Sequence, residues 1–149
     1  MEIIKEGHPV LREVATEVTE FDESLVVFCN TMVETMLGAK GCGLAAPQVG
    51  CSERILVISD NDTNVTVMVN PVMVDHSTDL LEIPEGCLSL PGVQCTIKRP
   101  SRCVVRFQTP TGEEKERTLD LWESRVFQHE LDHLNGILMT ERRHLQDDC

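Results

Sequence analysis

The chain contains no run approaching the ~20 apolar residues that a membrane-spanning helix requires. Its amino end has no basic start followed by an apolar stretch. Neither membrane insertion nor secretion is expected, and a reducing cytosol is the expected setting. Positive charge is also scarce, with 13 Lys and Arg against 25 Asp and Glu and a formal net charge of -12. A nucleic-acid groove carries a basic patch or stripe. Here the cations are scattered apart from Arg142-Arg143, which reads as a solvated surface pair. No Cys-x-x-Cys pair occurs among Cys29, Cys42, Cys51, Cys87, Cys95, Cys103 and Cys149, and the total is odd. Reduced thiols, mostly acting as small buried apolar groups, are therefore expected. Repeats, low-complexity tracts and an obvious linker are missing too. That leaves 149 residues as one catalytic-sized domain able to bury a real core.

The patterning that is present reads as α+β. Asp22 can cap a helix with Glu23 in its first turn, and Leu25, Phe28, Cys29, Met32, Val33 and Met36 recur at helical spacing up to a stop at Gly38. Residues 54–59, 65–70 and 102–108 are short and rich in Val and Ile. Turn residues such as Asn61-Asp62 and Thr109-Pro110-Thr111-Gly112 separate them, which predicts mostly antiparallel strands. A last helix is predicted over 121–134, ending at Asn135-Gly136, a good left-handed terminus.

That last helix carries the most informative run in the chain, Gln128-His129-Glu130-Leu131-Asp132-His133. Positions i and i+4 of a helix point the same way, so His129 and His133 can reach one metal ion. Glu130 stands beside the first ligand, where a carboxylate can take a proton from water at the ion. Metallohydrolases usually take three protein ligands and leave a position open, so one donor is still to be found. Two other segments stand out. Gly41-Cys42-Gly43-Leu44-Ala45-Ala46-Pro47-Gln48 has little side chain and would let a backbone approach a ligand closely, with Gln48 as its polar tip. Glu85-Gly86-Cys87-Leu88-Ser89 lies between Ile83-Pro84 and Pro91-Gly92 and sets a cysteine in a turn-rich context. As a thiolate Cys87 would complete a His-His-Cys set, which makes it the leading ligand candidate among the seven cysteines.

Together the three segments resemble the peptide deformylase family, metalloenzymes that remove the formyl group from nascent polypeptides beginning with formyl-methionine. The resemblance rests on the Gly-x-Gly-Leu-Ala-Ala-x-Gln run at 41–48, Glu-Gly-Cys-x-Ser at 85–89 and Gln-His-Glu-x-Asp-His at 128–133, in the family's order. Gly7-His8-Pro9-Val10-Leu11, Asn70-Pro71 and Leu134-Asn135-Gly136 extend it over nearly the whole chain. It implies mostly antiparallel sheets packed around a central metal-binding helix, with an additional amino-terminal helix. It implies a divalent ion on Cys87, His129 and His133, Fe2+ being the usual physiological one, with Zn2+, Ni2+ or Co2+ able to replace it. A thiolate donates more charge than a third imidazole, so water at the ion should be less acidic and its hydroxide more nucleophilic. Glu130 becomes the base that later delivers its proton to the departing amine. Gln48 and the backbone N–H of Leu88 become donors to the substrate oxygen, and Gly43 lies where the substrate backbone runs as an added strand.

A methionine pocket should lie beside the metal. Helical spacing puts Trp122 and Val126 on the His129 face, Ile83 joins them as a candidate wall, and Glu85 is placed among the substrate contacts. Trp122 reads equally well as a core tryptophan of the same helix. The family more often carries a smaller aliphatic residue at this position, with glycine before it and alanine two places later. This chain has Leu121-Trp122-Glu123-Ser124. Many bacterial relatives continue into a further carboxyl-terminal helix associated with ribosome docking, whereas nine residues follow Thr140 here, so stable docking is not implied. The expected partners are formyl-methionyl ends of new chains, without nucleic acid or membrane. The expected setting is the cytoplasm of a bacterial or phage-infected cell. Two rival readings are an internal metallopeptidase, against which Cys87 and the glycine-alanine run count, and a non-catalytic binder of amino ends, which would have no need of Glu130.

Overall fold

The structure, a computed structural model, describes residues 1–60 and 64–142. The expected Asn61-Asp62 turn, Arg143 and Cys149 lie outside the described residues.

Helix α1 spans Glu23–Gly38, and the Asp22 side chain accepts from the Leu25 N–H, so the capping residue acts as its position suggests. Strand β1 is Gly43–Ala45, β2 Ile55–Ser59, β3 Val65–His76, β6 Arg102–Gln108 and β7 Glu114–Asp120. These form one sheet in the order β1-β2-β3-β6-β7, with every neighbour antiparallel. Strands β4, Leu80–Cys87, and β5, Leu90–Pro100, make a separate antiparallel pair. Helix α2 runs Leu121–Leu134.

Side chains alternate across a strand, and here the alternation sorts the core into two layers. Leu56 and Ile58 of β2 pack with Val126, Phe127 and Leu134 of α2 on one face of the large sheet. Ile55 and Val57 pack with Leu25, Cys29, Met32 and Met36 of α1 on the other. Strand β2 is thus buried on both faces, which is why it reads as an unbroken apolar run. The β4–β5 pair has its own small apolar cluster of Leu90, Cys95, Ile97 and Met139. It also lies against α2, with Gln128 Nε2 donating to the Pro100 carbonyl at 2.9 Å. The helix is accordingly buried from Ser124 to Glu130 and again from Asp132 to Leu134. Truncating a fully buried aromatic such as Phe127 to alanine costs about 3–5 kcal/mol.

The end of α2 is fixed by backbone geometry. The Ile137 N–H donates to the Asp132 carbonyl and the Gly136 N–H to the His133 carbonyl, the double closure that terminates helices at a left-handed residue. Gly136 has φ +72°, and a Cβ there would sit 2.6 Å from the Arg12 carbonyl oxygen. The Arg54 guanidinium donates to the Leu134 carbonyl and to Asn135 Oδ1, placing a cation at the negative end of the helix dipole.

Two features depart from expectation. Sequence patterning did not identify β4, β5 or β7. Pro84 and Pro91 fall inside the hairpin, which tolerates them because a two-stranded pair is all edge. Strand β7, Glu-Lys-Glu-Arg-Thr-Leu-Asp, is a charged edge strand with Leu119 as its buried contribution. Cys29, Cys42, Cys51, Cys87 and Cys103 carry free thiols. Cys95 is disulfide-bonded, contrary to the expectation of reduced thiols throughout. Folded distance sets such a bond, and spacing along the chain does not disclose it.

Candidate metal centre

Cys87 is the last residue of β4, and His129 and His133 lie one turn apart on the buried face of α2. Their donor atoms all fall within 4.8 Å of one another. Cys87 Sγ stands 3.4 Å from His133 Nε2. Ligands held 2.0–2.3 Å from a tetrahedral ion are themselves roughly 3.5 Å apart, so this spacing fits a shared metal. The two imidazoles are edge-on, 5.1 Å between centroids and 67° between planes.

Glu85, two residues before Cys87, fixes how His129 presents itself. Its Oε1 lies 2.9 Å from His129 Nδ1. A carboxylate held this low can only accept, so Nδ1 carries the hydrogen and Nε2 is left as the donor toward the ion. Arg99 grips Glu85 through Nε at 2.6 Å and Nη2 at 3.0 Å, and its Nη1 reaches Asp132 Oδ2 at 2.9 Å. Arg125 Nη1 also donates to Glu85 Oε2, while Arg142 pairs with Asp132. Burial would raise the Glu85 carboxyl, but hydrogen bonds from His129 and Arg99 and the Arg99 charge outweigh it and hold the pKa at about 2. Glu85 was expected among the substrate contacts. Glu85 does line the cavity beside His129, and its carboxylate is also bonded to His129 and two arginines.

Glu130 is 5 % exposed, and its Oε1 has no hydrogen-bond partner among the described residues. Burial pushes its carboxyl up to about 7, against the pull of the neighbouring His129 charge. Burial likewise pushes His133 well below its usual value. His129 goes the other way. Burial alone would lower it, yet Glu130, Cys87 and Glu85 raise it to about 10. A field that favours a proton on His129 favours a divalent cation at the same place. With an orphaned buried carboxylate oxygen beside three converging donors, the residues present fit a metal ion.

Gln48 is 1 % exposed and is held at both ends of its amide. Oε1 accepts from the Ala45 N–H at 2.9 Å, and Nε2 lies 3.1 Å from Ser89 Oγ and 3.7 Å from Cys87 Sγ. Its donor end therefore looks into the centre. Leu88 follows Cys87 at the hairpin turn, and its side chain comes within 2.7 Å of where a Cβ on Gly41 would be. The small size of Gly43 has a specific cause. A Cβ there would lie 2.5 Å from Glu130 Oε2 and 2.8 Å from Val126 Cγ1. The glycine lets β1 close on the carboxylate and its helix, a role separate from any approach by substrate.

Two neighbouring spaces share Cys42, Gly86, Trp122, His129 and Glu130 in their walls. A groove of about 560 Å³ runs past Gly41, Cys42, Gly43, Gln48, Cys87 and Glu130. A smaller cavity of about 80 Å³ lies between Pro84, Trp122, Val126 and His129. Trp122, 39 % exposed, borders both, which decides against a core role. Leu121 before it adopts φ 47°, a left-handed conformation unusual for a branched residue. Ile83 does not line either space. Pro84 takes that position on β4, and Ile83 offers its carbonyl to Arg125. The arginines were not identified from sequence, although Arg125 stands four residues before His129 on the same helix face and its spacing marked it for burial.

Comparison with known proteins agrees with this geometry. The polypeptide deformylase family profile matches residues 1–148. The peptide deformylase of Thermotoga neapolitana is 46% identical over 136 residues, covering 91% of this chain and 82% of that protein. The crystal structure of peptide deformylase from Thermotoga maritima superposes with a TM-score of 0.94 at 41% identity, covering 96% of this chain and 97% of that one. A Met-Ala-Ser-bound class I type b peptide deformylase from Acinetobacter baumannii superposes with a TM-score of 0.91 at 33% identity, covering 95% and 97%. Shared sequence over nearly the full length, a common fold and a Cys-His-His cluster together show that this chain belongs to the peptide deformylase family.

Proposed function

We propose that Cys87, His129 and His133 hold the metal, that Glu130 is the general base and acid, and that Gln48 and the Leu88 N–H bind the substrate oxygen. The reaction follows from family membership: the enzyme hydrolyses the N-terminal formamide of new peptides and releases formate. The observation that carries the residue roles is the convergence of one thiol and two imidazoles on one point, with Glu130, whose buried Oε1 has no partner among the described residues, lining the same groove. When bound, the ion supplies a Lewis acid that polarises the formamide carbonyl and makes water available as a nucleophile. Glu130, with its pKa raised to about 7, is suited both to take the proton from the attacking water and to return it to nitrogen as the C–N bond breaks. The proton thus leaves with the free amine, and the carbonyl carbon leaves as formate. Gln48 Nε2 already faces Cys87, and an oxygen there would gain a donor whose loss typically costs roughly 3–4 kcal/mol.

Substrate placement follows from the sheet. Strand β1 is an edge strand, so an extended peptide can pair with it along the groove. The cavity beside His129 then receives the first side chain, with Trp122 and Val126 as walls. The Met-Ala-Ser peptide in the Acinetobacter relative is the product such a substrate would leave. We assign Fe2+ as the working ion, with Zn2+, Ni2+ or Co2+ as substitutes, and read residues 1–149 as one catalytic unit acting in the cytoplasm. Among the described residues no helix is long and apolar enough to cross a membrane.

Anaerobic metal analysis paired with formate release from formyl-Met-Ala-Ser tests the proposal, using acetylated and unblocked peptides as comparisons. Glu130→Gln is expected to keep the metal and lose roughly 10²–10⁴-fold in kcat. Unchanged turnover in that variant would remove Glu130 from the mechanism.

A further inference from the structure

The metal ligands come from two bodies that share no strand pairing. Cys87 sits on the β4–β5 pair, which is not hydrogen-bonded to the five-stranded sheet, and both histidines sit on α2. The distance from thiolate to imidazole therefore depends on contacts outside strand pairing, among them the side-chain bonds between hairpin and helix. We infer that Arg125 is a positioning residue for the metal centre, locking the Cys87 hairpin against α2 so that the thiolate stays within ligand distance of His129 and His133.

Arg125 is 4 % exposed and extends from α2 one turn before His129. Its Nη2 donates to the Leu81 carbonyl at 2.6 Å, and its Nη1 to the Ile97 carbonyl at 3.1 Å and the Ile83 carbonyl at 3.4 Å, as well as to Glu85 Oε2. One planar fork thus ties together both strands of the hairpin and the carboxylate that orients His129. Arg99 makes a parallel link from β5 through Glu85 to Asp132. It reaches the helix only through carboxylates, whereas Arg125 grips hairpin backbone directly. Backbone carbonyls of a strand move with the strand, so holding Leu81, Ile83 and Ile97 constrains the register that ends in Cys87.

Cobalt(II) titration of the full chain tests the inference, because thiolate ligation gives cobalt(II) a charge-transfer absorption that needs no substrate or turnover. Arg125→Met removes the fork while keeping an unbranched apolar stem. It is expected to weaken cobalt(II) binding roughly 10- to 100-fold, the usual cost of losing an outer-shell partner, and to diminish the thiolate band at saturating metal. Arg125→Lys keeps one charge beside Glu85 but cannot span to the three carbonyls, and it should remain impaired; it decides the matter if the methionine variant does not fold. Arg106→Met, which removes an exposed cation paired with Glu116 on the far edge of the sheet, serves as the control. A purely structural role for Arg125 would lower the melting temperature while leaving affinity and band of the folded protein unchanged. Full affinity in either Arg125 variant overturns the inference. The inference rests on the Cys87-His129-His133 reading, and Cys87→Ala separates the two. Retained tight binding and an intact thiolate band in that variant would sink the metal centre itself, whatever Arg125 does.

Discussion

Replacing Gly43 with alanine puts one methyl group into the narrowest part of the site. The added carbon would lie 2.5 Å from Glu130 Oε2, 3.0 Å from Glu130 Cδ and 2.8 Å from Val126 Cγ1. Non-bonded contacts settle at about 3.5 Å or more, so β1 and α2 must part by roughly 1 Å, or Glu130 must swing away. Strand β1 is held by its pairing of Gly43 with Ile58, and α2 is packed on the large sheet and bonded to the hairpin, so neither yields freely. Overpacking of this kind costs typically 1–3 kcal/mol of stability. The larger effect should be on chemistry. A misplacement of about 1 Å costs on the order of 10²-fold in rate, or about 2.7 kcal/mol of transition-state stabilisation. Formate release at saturating metal, together with thermal melting, reads both quantities. The double variant Gly43→Ala/Val126→Ala sharpens the test. It relieves the contact with Val126 and should recover stability, but the contact with Glu130 remains and activity should stay low. If Gly43→Ala turns over like the unsubstituted enzyme, the glycine is not what lets Glu130 approach β1, and the argument from close packing is refuted.

Cys87→Ala should lose the metal while keeping the fold, checked by metal analysis after gel filtration; full metal retention would contradict the assigned ligand set. Glu85→Gln leaves Arg125 buried without its counter-charge and Arg99 with Asp132 alone, and should destabilise by about 3–5 kcal/mol in denaturant titration. A melting temperature within a degree of the original would show that the network contributes nothing to stability. Trp122 is the chain's single tryptophan and borders the cavity. Adding unformylated Met-Ala-Ser should therefore shift its fluorescence, and Trp122→Leu should change KM for formyl-methionyl peptides more than kcat. An unresponsive spectrum at saturating peptide would place the methionine side chain elsewhere.

Much of the site was legible because its information is local. The i, i+4 spacing of His129 and His133 needs only a helix, and Asp22, Asn135 and Gly136 marked helix ends that the structure places within a residue of expectation. Strand β2 was visible because both its faces are buried. The hairpin was not, since Pro84, Pro91 and alternating polar residues obscure strands that have only edges to offer, and β7 is too charged to stand out.

The sequence by itself determined which chemistry is available: two imidazoles one turn apart, a carboxylate between them, a cysteine and a glutamine in small-residue turns. Those depend on side-chain identity and helical periodicity, which are properties of neighbours along the chain. Only the tertiary structure decided how these groups divide their labour. It tied Glu85, on the cavity wall, to His129 and two arginines, left Ile83 out of the pocket, exposed Trp122 at its rim, and set Gly43 against Glu130. Each depends on distances of a few ångströms between residues about 40 or more positions apart. Such distances are set by packing a hairpin, a sheet edge and a helix together, and no local pattern encodes them.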